Sequence, residues 1–117
     1  RDTKRLSDVD AIKNAMEYIN SEYGSYNYNL ASPACAAGAK ISTCIGGNLQ
    51  NSITSLKNLI DPVGTVACTA SSDESCDYSL TATTSDYTVY FYLETGAGQF
   101  KSPGLYKLTK AGIDMAD

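Results

Sequence analysis

Four cysteines, a small group of acids and nine tyrosines are the chemistry-bearing residues of this 117-residue chain, which contains no histidine. Without an imidazole, Ser-His-Asp and Cys-His nucleophilic arrangements are excluded, and acid–base work would fall to carboxylates or a perturbed lysine. The spacing of the charged residues signals neither, so the chain reads as a non-enzyme with no cofactor. Asp73, Glu74 and Asp77 gather around Cys76, as a paired-carboxylate site or a weak set of calcium ligands would. A solvated acidic loop pinned by a disulfide fits better, because no glycine-punctuated run of alternating oxygen ligands is present. Gly96 and Gly98 lie between strand-like segments rather than opening a helix, which makes them turn residues and not a phosphate cradle.

The cysteines, Cys35, Cys44, Cys68 and Cys76, are separated by eight, twenty-three and seven residues. Zinc knuckles need a tighter pair, so disulfides in an oxidising, extracytoplasmic compartment are expected and no metal is assigned. Three connectivities are open. Local pairing, Cys35 with Cys44 and Cys68 with Cys76, is favoured, and each bridge would contribute about 2–4 kcal/mol.

The tyrosines offer a surface rather than a reaction. Tyr90 and Tyr92 share one face of the segment YTVYFYL at 87–93, with Tyr26 and Tyr28 as possible neighbours, and exposed aromatic patches mark interfaces. Coverage of both sheet faces is the equal alternative. The net charge of −4 gives no footprint for nucleic acid; residues 1–60 carry +1 and residues 61–117 carry −5. No apolar run approaches the roughly 20 residues that cross a bilayer.

These groups need elements to hold them. Leu6, Val9, Ile12, Met16, Ile19 and Tyr23 recur every three or four residues, which predicts an amphipathic helix ending at Gly24. Residues 25–64 form a connector, with a short second helix over 48–60 carrying Leu49, Ile53, Leu56, Leu59 and Ile60, broken by Asp61-Pro62. Residues 65–117 form the sheet region. Strands are predicted at 78–84, 87–93 and 105–109, with Tyr87, Val89, Phe91 and Leu93 on one face of the central one and Thr88, Tyr90 and Tyr92 on the other. The expected fold is a single α+β domain: a long N-terminal helix packed on a three- to four-stranded antiparallel sheet.

The opening stretch RDTKRLSDVDAIKNAMEYINSEYGSY resembles the segment that follows the membrane-spanning half-helix in bacterial type IV pilins and type II secretion pseudopilins. The family's Tyr-x-x-x-x-Gly-x-Tyr stop falls on Tyr18, Gly24 and Tyr26 with one residue more. LIDPVG at 59–64 is similar to its P-x-D-P loop, and YTVYFYLETG with LYKLTKAGI to its sheet strands. The resemblance implies a filament subunit whose partners are further copies of itself, related pilins and the pilus assembly machinery. It implies an upstream apolar helix with a glutamate near its start, trimmed by a prepilin peptidase and anchored in the inner membrane before assembly. Arg1, Lys4 and Arg5 would then form a basic patch at the membrane–water junction. Type II major pseudopilins bind calcium through a C-terminal acidic loop, where this chain has only Asp114 and Asp117, so the resemblance favours a cell-surface pilus over a pseudopilus. The family's common disulfide joins a strand to the C-terminal region, and no cysteine follows Cys76 here. A secreted adhesin or binding module using the Tyr-rich face is the alternative from another class.

Overall fold

A computed structural model describes residues 1–31 and 33–116. The first element is helix α1, Asp2–Tyr23. Asp2 sits in its first turn, where a carboxylate suits the positive end of the helix dipole. Gly24 ends it in the left-handed conformation, φ 75°, and its amide donates to the Asn20 carbonyl at 2.8 Å. A residue without Cβ adopts that geometry at little cost.

The connector after α1 is more structured than its composition suggests. A 3-10 turn at Pro33–Ala36 leads into strand β1, Ala37–Lys40, and a second turn at Ile41–Thr43. The expected helix over 48–60 is corrected to helix α2, Asn48–Ser52, followed by a 3-10 turn at Leu56–Asn58. Helix α2 stops because Ile53 is extended, φ −129° and ψ 99°. The run Ser52-Ile53-Thr54-Ser55 joins β-branched and hydroxyl side chains of low helix propensity. The broken path still turns Leu49, Ile53, Leu56 and Leu59 inward, so the apolar spacing was a burial signal rather than a helix signal.

Six further strands follow: β2 (Val66–Ala67), β3 (Cys76–Asp77), β4 (Ser79–Ala82), β5 (Tyr87–Leu93), β6 (Gly104–Thr109) and β7 (Gly112–Met115). The fold is α+β. Its main sheet is antiparallel with order β1-β4-β5-β6-β7, five strands where three or four were expected. The extra edges are β1, drawn from the connector, and β7, which hairpins back from β6. Strands β2 and β3 form a separate parallel pair.

Strand β5 is central and alternates as predicted: Tyr87, Val89, Phe91 and Leu93 are buried, while Thr88, Tyr90 and Tyr92 are half-buried. The inward set shares one core with Val9, Ile12, Ala15, Met16 and Ile19 of α1. Burying this apolar surface, about 25 cal/mol per Å², is the main drive for laying the helix on the sheet.

Two disulfides, Cys35–Cys44 and Cys68–Cys76, have Cα separations of 5.6 and 4.8 Å. Both are the local pairs. The first brackets β1, and the second fastens β3 to the strand-like segment that holds β2.

Candidate functional site

The helix stripe keeps four of its six predicted members in the core. Val9, Ile12, Met16 and Ile19 are fully buried, Leu6 is half-buried at the flank, and Tyr23 is 45 % exposed. Tyr23 turns outward and stacks on Tyr28, ring centroids 4.7 Å apart and 8° from parallel. Towards its N-terminus the buried face is charged: Asp2 and Arg5 continue the spacing of Val9 and Ile12 and enter the interior with them.

Arg5 is the principal correction. It was expected in an exposed basic patch with Arg1 and Lys4, but its side chain is completely buried. The guanidinium Nε donates to Asp61 Oδ2 at 2.7 Å and Nη2 to Asp61 Oδ1 at 3.0 Å, a bidentate fork. Its Nη1 donates to Asp2 Oδ1 at 2.8 Å and to Glu94 Oε1 at 2.7 Å. Arg1 also pairs with Glu94, at 2.8 and 2.7 Å, and Lys4 pairs with Asp8. These cations are therefore engaged within the domain itself, by acids of α1 and of the turns at 61 and 94.

Each carboxylate around Arg5 is fixed in turn by backbone amides. Asp2 accepts from the amides of Glu94, Thr95 and Gly96 at 2.8–3.0 Å, clasping the loop after β5. Asp61 Oδ1 accepts from Val63 and Gly64, which shapes the Asp61-Pro62 turn. Burial alone would raise the Asp2 and Asp61 carboxyls, but these hydrogen bonds and the Arg5 charge outweigh it and hold both below the usual carboxylate range. Burial likewise opposes the charge on Arg5, and its three carboxylate partners push its pKa up instead. The Glu94 carboxyl is lowered by its bonds to Arg1 and Arg5.

Asp77 extends this hub beneath the turn. It is buried, and its Oδ1 accepts from the amides of Asp61 at 2.8 Å and Tyr78 at 2.7 Å. Burial first, and the nearby Asp61 charge after it, raise its pKa despite those amides. Next to it the Tyr78 hydroxyl donates to Asp8 Oδ2 at 2.9 Å; burial and that carboxylate push it up, so it stays a donor. The hub does positional chemistry, locking the start of α1 to the turns at 61–64 and 94–96.

The structure does not bring the weak calcium set together. Asp73 bonds the amide and hydroxyl of Ser75 in the exposed loop, whereas Asp77 points into the hub. Glu74 is exposed beside Asp73, and no group of three or more acids, cysteines or histidines among the described residues is arranged to hold a metal ion. Asp114 is exposed on β7, and Asp117 lies outside the described residues.

The tyrosine surface divides. Tyr90 and Tyr92 occupy the sheet face away from α1, with Leu105 and Lys107 of β6 as cross-strand neighbours. Tyr26 belongs to the other side: it is buried, tilts against Tyr87 at 5.0 Å, and its hydroxyl reaches Glu17. Tyr28 is exposed at the end of α1. The four tyrosines thus do not form one platform.

Sequence reasoning missed Asp2, Asp61 and Glu94 as partners of Arg5. One signal was available: Asp2 and Arg5 lie three apart on the same stripe as Val9 and Ile12. Asp61 and Glu94 are 56 and 89 residues away from Arg5, and nothing local announces them. No helix among the described residues is long and apolar enough to cross a membrane. No family model, curated protein or solved structure matches the chain.

Proposed function

We propose that this chain is the headpiece of a type IV pilin-like subunit, carried on a cell-surface filament and joined to its neighbours through a helix that precedes Arg1. The observation that carries the reading is α1: a 22-residue helix laid on one face of an antiparallel sheet, with Val9, Ile12, Met16 and Ile19 turned down. Such an element can continue upstream as a stem while its outer half is held by the headpiece. The Arg5 hub suits that task, because it grips the first turns of α1, where a stem would transmit load. Two disulfides in the connector and the loop region fit an extracytoplasmic setting.

Under this reading the filament surface is built from the disulfide-bracketed connector, the loop at 69–75 and the outer sheet face. The half-buried Tyr90 and Tyr92 favour a second reading, a secreted binding module that works without polymerising.

One experiment separates the two. Surface filaments sheared from the producing cells are analysed by mass spectrometry and labelled with antibodies raised against residues 1–117. Peptides of this chain enriched in the filament fraction, with label along the fibres, are expected. Recovery only as free protein in the medium favours the binding module and overturns the filament assignment.

A further inference from the structure

A groove of about 650 Å³ runs between α1 and the segment 48–55. Its volume lies within the roughly 300–1,000 Å³ of small-molecule sites. From α1 it is lined by Asn14, Tyr18 and Tyr23, with Ala11 and Ala15 beneath them. The opposite wall is Asn48, Asn51 and Ser52, followed by Ile53, Thr54 and Ser55. None of these side chains is charged, in a chain with 22 formally charged residues.

The polar groups are open for use. Asn48 is 7 % exposed and its Nδ2 donates to the Tyr28 carbonyl at 2.8 Å. That carbonyl can only accept, which fixes the amide's orientation and leaves Oδ1 as an acceptor without a partner among the described residues. The side chains of Asn14, Asn51, Ser52, Thr54 and Ser55 are exposed and likewise make no hydrogen bond among the described residues. Tyr18 is 56 % exposed, and Tyr23 is held in place by its stack on Tyr28. Ordering that ring on binding therefore costs little entropy.

We infer that this groove binds a neutral saccharide. A sugar ring has a C–H face that packs on an aromatic ring, whose face is the negative part of its quadrupole. Its rim of hydroxyls both donates and accepts, and amides and hydroxyls answer both needs at once. An anionic ligand would find no cation in the lining. A helical peptide would need apolar pockets at i, i+3 and i+4 spacing, and apart from the rings of Tyr18 and Tyr23 the groove supplies only Ala11, Ala15 and the buried Ile53 as carbon. The inference is independent of the filament reading, since a free secreted protein would bind in the same way.

The test is titration of the isotope-labelled 117-residue protein with lactose, maltose and N,N′-diacetylchitobiose, followed by amide chemical shifts. For at least one sugar, saturable shifts confined to residues 11–23 and 48–55 are expected at concentrations up to about 10 mM, tenfold above a millimolar Kd. Tyr18→Ala should weaken binding roughly three- to tenfold, the worth of one aromatic contact, and Tyr18→Phe should keep it. Asn51→Ala should weaken binding, and Tyr92→Ala on the far face should leave it unchanged. Because Tyr18 and Asn51 are exposed, unchanged melting curves will show that the variants fold. Absence of saturation with all three sugars overturns the proposal, as does a shift pattern centred on Tyr90 and Tyr92. Binding of sialylated or sulfated sugars alone, or of a polar peptide in place of the sugars, also overturns it.

Discussion

Arg5 and Asp61, 56 residues apart, form a two-pronged ion pair in which neither side chain touches solvent. Desolvating two charges costs several kcal/mol, and the pair is sustained because Asp2 and Glu94 on one side and the amides of Val63 and Gly64 on the other add further hydrogen bonds to it. Removing one partner strands the other. Arg5→Ala or Asp61→Ala should each destabilise the domain by about 3–5 kcal/mol, whereas replacing Arg5 and Asp61 together with apolar residues should cost clearly less than the sum. Urea denaturation of the two single variants and the double variant checks this. Additive losses would show that the pair is not coupled.

Stability should fall with acid, and the sign follows from the directions of the shifts. Asp2, Asp61 and Glu94 have folded pKa values below their unfolded ones, near 3.9 for Asp and 4.3 for Glu. Their contribution is present above those unfolded values and is lost as pH falls through the folded ones. Asp77 is raised, so its contribution is present below about 3.9 and is lost as pH rises through its folded value. Asp73, lowered by its bonds to the Ser75 hydroxyl and amide, acts in the same direction as the first three, and four groups against one give a melting temperature that drops below about pH 4. Asp77→Asn removes the opposing contribution, so that variant should lose more stability between neutral and acid pH than the wild type. Melting curves recorded across this range decide it.

Gly64 is required for close approach rather than for a special φ. A Cβ placed there would lie 1.8 Å from the Cys76 carbonyl oxygen and 2.3 Å from its carbon, both backbone atoms with little freedom beside a disulfide. Gly64→Ala should cost at least the roughly 1–3 kcal/mol of an overpacked site. Gly24→Ala meets open space and should cost about 1–2 kcal/mol from left-handed strain alone. Thermal melts should rank Gly64→Ala as the more damaging.

Two buried tyrosines should respond oppositely to loss of the hydroxyl. Tyr87 OH is buried and makes no hydrogen bond of normal geometry among the described residues; burial pushes its pKa up, and the nearby Glu17 carboxylate adds to this. Tyr87→Phe should be neutral or stabilising by up to about 1 kcal/mol. Tyr78→Phe deletes a bond to the Asp8 carboxylate and should cost about 1.5–3 kcal/mol. Equal losses in the two denaturation curves would contradict the difference in bonding.

Elements written in local periodicity were legible in the sequence. Helix α1 and strand β5 each carry enough repeats of their own spacing to state their type and to divide their residues between two faces, although apolar bodies on both faces of β5 left its buried side open. Tyr23 escaped because a stripe at spacings of three and four drifts round the helix, and four residues beyond Ile19 the ring finds Tyr28 instead of the sheet. The second helix was over-extended because Ile53, Leu56 and Leu59 have to be buried, and a chain that turns can bury them without remaining helical. Strand β1 was unreadable for a different reason: Ala37-Gly38-Ala39-Lys40 has no β-forming residue, and it becomes a strand only because β4 offers an open edge. Arg5 was misplaced because a charge is ordinarily assigned to the surface, and its partners come from turns far along the chain.

The position of β1 inside the Cys35–Cys44 bridge has a consequence for assembly. Residues 37–40 belong to a covalent ring, so this margin of the sheet is a closed loop pressed against β4 rather than a free ribbon. A ring cannot peel away from β4 as an extended ribbon, so while the sulfurs remain joined this edge can be exchanged between copies only as a whole closed loop. Opening it under reducing conditions would release β1 and uncover the backbone donors and acceptors of β4, a template for uncontrolled strand addition. The bridge thus guards the sheet against self-association at its most poorly encoded edge.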